Sequence, residues 1–138
     1  MTTRVDLQVL SDLRLKEAEV LHAGGLFSGA YYIVGYAAEL GLKACIARLF
    51  KADAIPETKL VERARSHILQ ELVIFAELKP HLDRQIAADR IFALNWEVVR
   101  GWHPDDRYRI TADAVADELL TALRDTNHGV LTWIRIHW

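Results

Sequence analysis

Residues Gly25–Phe50, GLFSGAYYIVGYAAELGLKACIARLF, decide the fold. Ala30, Val34, Ala37, Gly41 and Ala44 are separated by alternating steps of four and three, so they share one face of an α-helix. Side chains this small let a second helix approach closely. The stretch is therefore expected to be the central packing helix, running from a cap at Ser28 to about Lys51, well beyond the average length of roughly 11 residues. On the same helix Glu39 and Lys43 stand four apart, in the order that supports an intrahelical ion pair worth about 0.2–0.5 kcal/mol when exposed. Two readings are open for them: an exposed pair, or a buried one that reaches across to Arg107 or His67 in a polar network between helices.

Upstream, Asp6–Ala23 is expected to form a first helix with Leu10, Leu13, Ala18 and Leu21 on one face, stopped by Gly24 and Gly25. Downstream, Ala52–Ser66 contains Pro56 and mixed charge and reads as a connection with a short helical turn. A third helix, Ser66–Leu78, stops before Pro80, because proline lacks an amide donor and clashes with the preceding turn. The fourth starts near Pro80, turns Ile86, Phe92, Trp96 and Val99 inward and ends around Gly101, after which HPDDR reads as a turn. Thr111 is expected to cap a fifth helix, with Asp113 in its first turn and Val115, Leu119, Ala122, Val130 and Trp133 along its apolar stripe. Gly129 marks a kink or a close helix contact within it. No alternating strand, repeat or low-complexity tract interrupts this pattern. The expectation is all-α: one domain over residues 1–138, an up-and-down bundle of four main helices plus a short accessory helix.

Composition agrees with a packed domain. The chain has 138 residues, 51% hydrophobic and 26% charged, enough for a core without metal or disulfide support. A formal charge of -2 argues against a broad electropositive surface and leaves only a local patch to hold a phosphate or an RNA strand. Cys45 is the only cysteine, so no intramolecular disulfide forms, and its apolar helix suggests a buried thiol. The apolar run Gly24–Ala38 is interrupted by Glu39, Lys43 and Arg48 within the same helix, and MTTRVDLQ lacks the pattern of a secretory signal. A cytoplasmic protein without membrane insertion is expected.

Three stretches carry a resemblance. GAYYIVGYAAELGLKACIAR (Gly29–Arg48) resembles the second helix of the HEPN domain, a family of small helical nucleotide-binding modules of prokaryotes and higher eukaryotes. HILQEL (His67–Leu72) stands where members of that family begin their third helix with histidine, and NWEVVRGWHPDDRY (Asn95–Tyr108) supplies the family's RY ending at Arg107 and Tyr108. The resemblance implies a four-helix fold, nucleotide or RNA binding, a homodimer and, because members often accompany one, a separately encoded nucleotidyltransferase partner. It also links the chain to toxin-antitoxin and defence systems. Ribonuclease members carry an arginine followed by four to six residues and then a histidine. Here the nearest pairs, Arg63 with His67, Arg100 with His103 and Arg124 with His128, are separated by three, two and three residues. No catalytic role is therefore carried over, and the resemblance implies a non-catalytic or differently acting member. The alternative is a metal-independent ribonuclease whose Arg and His converge from different helices.

RGWHPDDRYR is the best site candidate. Cleavage at a ribose hydroxyl needs a group near pKa 7 and a cation for the phosphorane charge, and binding alone needs a cation and a stacking ring. Arg100, Trp102, His103, Arg107 and Tyr108 provide these types, with Glu39 and Lys43 expected to orient them from the neighbouring helix. The competing reading has Trp102 and Tyr108 plugging the bundle end, Arg107 paired with Asp105, Asp106 or a helix carboxylate, and His103 solvated. No two of the six histidines stand four apart and there is no thiolate cluster, so no metal or other cofactor is expected. Gly24 and Gly25 lack the rest of a phosphate-binding loop, and Tyr31, Tyr32 and Tyr36 read as packing residues. Trp133 and Trp138 flank a C-terminal helix whose aromatic end is a candidate dimer contact.

Overall fold

Thr3 opens the first helix. Its hydroxyl accepts the amide of Asp6 while the Asp6 carboxylate accepts the amide of Thr3, a reciprocal capping box that starts α1 (Arg4–Ala23) ahead of the expected Asp6. The computed structural model describes residues 1–138 and continues through α2 (Phe27–Ala47), α3 (Thr58–Arg63), α4 (Leu69–Phe75), α5 (Lys79–Ala88) and α6 (Arg90–Arg100). A 3-10 turn (Pro104–Tyr108), α7 (Asp113–Arg124) and α8 (Val130–His137) complete the chain, with no strand. The all-helical class is as expected; the count of helices is not. No helix is long and apolar enough to cross a membrane.

The spine is α2. All five residues of its small stripe are buried, and the helix packs on α1, α4, α7, α8 and the 3-10 turn. Ser28 does not cap it: Leu26 holds the cap position, and the Ser28 hydroxyl accepts the amide of Thr111 at 2.8 Å, tying the exit of the 3-10 turn to the start of α2. The inward face of α1 also differs from expectation. Ser11, Leu15 and Ala18 are buried, with the Ser11 hydroxyl donating to the Ala37 carbonyl at 2.6 Å, while Leu13 is exposed.

Both expected long downstream helices are broken. Asp89 separates α5 from α6 by adopting an extended backbone (φ -136) and accepting the amide of Phe92 on its carboxylate, a side-chain N-cap. The kink expected at Gly129 is a full break between α7 and α8: a Cβ there would collide with the carbonyl oxygens of Asp125 and Leu123, so only glycine closes this turn. His128 joins the two breaks. Its Nδ1 lies 2.7 Å from Asp89 Oδ2, and its carbonyl accepts from Asn95 Nδ2 at 2.9 Å.

Thr111 is not the cap of α7 either, since Ala112 takes that position without a side-chain bond, and Val115 is exposed. The core inside these helices includes Phe92, Trp96, Val99, Leu119, Ala122 and Val130. Trp133 belongs to it, with its ring 5.6 Å from that of Phe92, so it is not available as a dimer contact.

Candidate functional site

The Arg100–Arg109 segment lies across α2 and is anchored there by Trp102. That indole is 2% exposed, meets the Tyr36 ring edge-on at 5.1 Å, and sits on Gly35 so closely that a Cβ would fall among its ring atoms. Trp102 therefore has no free face for a base, which corrects the stacking role and agrees with the competing reading of a plug at the bundle end. His103 is likewise occupied locally. As the N-cap of the 3-10 turn it donates its amide to Asp106 at 2.9 Å and accepts the Asp105 amide on Nδ1 at 3.1 Å. Arg100 pairs with Glu97 at 2.9 Å, and Arg109 with the buried Asp106 at 3.3 Å.

Arg107 is different. It is exposed and has no carboxylate partner, neither Asp105, Asp106 nor a helix carboxylate, contrary to the competing expectation. Its Nη2 donates to the Tyr108 hydroxyl at 3.0 Å, its guanidinium lies 4.6 Å from the centroid of the Tyr108 ring, and Nη1 reaches the Pro104 carbonyl at 3.4 Å. The hydrogen bond to Tyr108, followed by the Tyr32 hydroxyl, pushes its pKa further up. The guanidinium is thus a permanent cation whose neighbours are neutral oxygens.

Tyr32 begins a polar stripe along α2. Its hydroxyl lies 3.3 Å from that of Tyr36, whose own pKa is pushed up to about 12, first by burial and then by the bond to Tyr32. One turn on, the Glu39 carboxylate is 2% exposed. Its Oε1 accepts from Lys43 Nζ at 2.8 Å and lies 2.9 Å from His67 Nδ1. Of the two readings left open by the sequence, the buried network is the one observed, and it reaches His67. Two buried polar atoms here have no partner, the acceptor Glu39 Oε2 and the donor Trp102 Nε1. Gly35 and Glu39 are one turn apart, so both orphans lie along the same stretch of α2.

Tyr32, Tyr36, Glu39 and Lys43 follow steps of four, three and four, offset by two residues from the small stripe and hence on the opposite side of the helix. From Tyr32 to Glu39 the helix rises about 10 Å. One face of α2 therefore carries, in order, a free guanidinium with phenol hydroxyls and a buried carboxylate holding a half-exposed histidine. This arrangement can bind an anion at one end and present an oriented imidazole at the other. No group of three or more His, Cys, Asp or Glu is arranged to hold a metal ion.

Compared with protein-family models, with curated proteins and with solved structures, the chain shows no match in any of the three.

Proposed function

We propose that the chain is a HEPN-like nucleotide- or RNA-binding and protein-interaction module that binds without turnover, as a homodimer in the cytoplasm. The reading rests on one observation above the others: Arg107 is the one cation of the Arg100–Arg109 segment without a local hydrogen-bonding or charge partner that is acidic or capping. A guanidinium left with only neutral oxygens is suited to accept a phosphate in forked geometry, and the exposed Tyr108 ring beside it can stack a base. Glu39 and Lys43 orient this face from within α2. The homodimer draws support from the exposed valines of α1, Val5 and Val9 at its start and Val20 near its end.

Labelled single-stranded RNA and a nucleoside triphosphate, each incubated with wild-type protein and with Arg107→Ala, test the reading. Retained ligand without cleavage in the wild type, lost in Arg107→Ala, is the expected result. No affinity for either ligand overturns it and moves the weight to a protein partner such as a nucleotidyltransferase. One feature favours the ribonuclease reading: buried Glu39 fixes the His67 ring through Nδ1, as carboxylates orient catalytic histidines. Cleavage abolished by His67→Gln would establish it.

A further inference from the structure

At the end of the bundle where α2 finishes, three helices bring four basic side chains together. The His81 ring of α5 and the His137 ring of α8 lie with centroids 5.0 Å apart at 49°, and Trp133 closes the other side of His137 at 4.9 Å. Arg84, one turn after His81, donates from Nη2 to His81 Nδ1 at 2.9 Å. Arg48, which ends α2, donates from Nη1 to the His137 carbonyl at 2.6 Å.

Neither arginine has a carboxylate partner. Asp83, beside Arg84, is paired with Lys79, and Asp12, under α8, with Arg135, while Asp53 and Glu77 form no ion pair with either arginine or either histidine. Arginine only donates, so the bond from Arg84 leaves His81 Nδ1 bare and places the ring proton on Nε2. A guanidinium held by an imidazole nitrogen or a backbone carbonyl keeps its full charge and its remaining N–H donors. His137 feels this surrounding: its pKa is lowered, first by burial and then by His81 and Arg48, with no acid opposing them. Two guanidiniums without a carboxylate partner, one on the His81 ring nitrogen and one on the His137 carbonyl, make this end of the bundle locally positive on a chain whose net charge is -2.

We propose that Arg48, His81, Arg84 and His137 form a second binding site, for a phosphate-type oxyanion, independent of the Arg107 face. The two guanidiniums supply charge-assisted donors and His81 Nε2–H a third direction, while the anion favours the charged form of His137 that burial, and then its basic neighbours, now disfavour.

The test follows the His137 ring by NMR as pH is varied, in inorganic phosphate and in chloride at equal ionic strength, with a short single-stranded RNA as a second arm. The expected result is a His137 midpoint raised by about half a pH unit or more in phosphate or RNA relative to chloride. The shift should vanish in Arg48→Gln/Arg84→Gln and persist in Arg107→Ala, which separates this site from the one above. A shift with phosphate identifies a free-phosphate site, and one with RNA alone a strand-phosphodiester site. Equal midpoints in all three solutions overturn the proposal, as does a shift that survives in the double variant. Both arginines are exposed, so the double variant is expected to fold, and its thermal midpoint checks this.

Discussion

Trp102 packs its indole against the backbone of Gly35 so closely that a Cβ built on that glycine falls among Cε2, Cδ2 and Nε1 of the ring. The contact is the pin that holds the 3-10 turn, and with it Arg107, against α2. Trp102 is among the largest fully buried side chains and cannot move aside without opening the bundle. Gly35→Ala is therefore expected to destabilise the fold by about 1–3 kcal/mol or more, as overpacking of a filled interior does. Urea denaturation followed by circular dichroism measures it, and a wild-type midpoint in the variant would show that the ring is free to shift. The binding proposed at Arg107 is expected to weaken with it, because the guanidinium is carried by the displaced segment.

Glu39 should matter to stability more than its i,i+4 spacing to Lys43 suggests. The carboxylate is almost wholly buried, whereas Lys43 keeps some exposure and His67 is half exposed. Truncating one partner of a buried pair costs about 3–5 kcal/mol, and the partial exposure of the two bases places Glu39→Ala toward the lower end of that range. Glu39→Gln, which keeps the shape and one acceptor, is expected to cost less. A double-mutant cycle with Lys43→Met should give a coupling of about 0.5–3 kcal/mol; strictly additive losses would mean the ion pair contributes nothing beyond its parts.

The Asp89–His128 contact predicts a pH profile. His128 has its pKa raised, chiefly by its hydrogen bond to Asp89, and Asp89 has its pKa lowered, chiefly by the same bond. The histidine's contribution is fully present below its unfolded value of about 6.5 and is lost as pH rises through the folded value. The carboxylate's contribution is present above its ordinary value of 3.8 and is lost as pH falls through the folded value. The pair thus contributes most between the two ordinary values. Wild-type unfolding free energy should fall between pH 5.5 and pH 9 by more than that of His128→Gln. Parallel profiles for the two proteins would remove the pair from the account.

Part of this arrangement was legible in the sequence, and the rest was hidden for identifiable reasons. The small stripe of α2 is a strict helical repeat, so its burial followed from spacing alone. The polar stripe through Tyr32, Tyr36, Glu39 and Lys43 has the same spacing, yet tyrosine is amphipathic and composition does not say which end is wet. Asp89 sits in the middle of an apolar-periodic stretch; its cap on the Phe92 amide is local, but the His128 contact that also holds its carboxylate lies 39 residues away in sequence, where spacing does not reach. Arg107 and Arg109 are alike as letters. Geometry alone assigns Asp106 to Arg109 and leaves Arg107 unpaired. The sequence left Trp102 open between a ligand platform and a plug of the bundle end; the absence of a side chain at Gly35, far upstream, admits it to the core, while Tyr108, read the same two ways, stays exposed.

Cys45 reports on the integrity of the whole arrangement. It is 3% exposed on the α2 face that meets α8, with its thiol directed at the Ile134 carbonyl at 3.9 Å, and burial pushes its pKa up to about 12. Thiolate is the reactive form, so the native protein at pH 8 presents both too little thiolate and too little access for a disulfide reagent. Labelling is expected to proceed only through opened molecules, at a rate set by their population. The urea midpoint for loss of protection should then coincide with the midpoint for loss of helix, and Gly35→Ala should accelerate labelling in water by the factor its lost stability predicts, tenfold for each 1.4 kcal/mol or so. Rapid stoichiometric labelling of the native protein would instead mean that α8 lifts from α2 on its own. That motion would carry His137 away from Arg48, so the same measurement made with phosphate present should slow it.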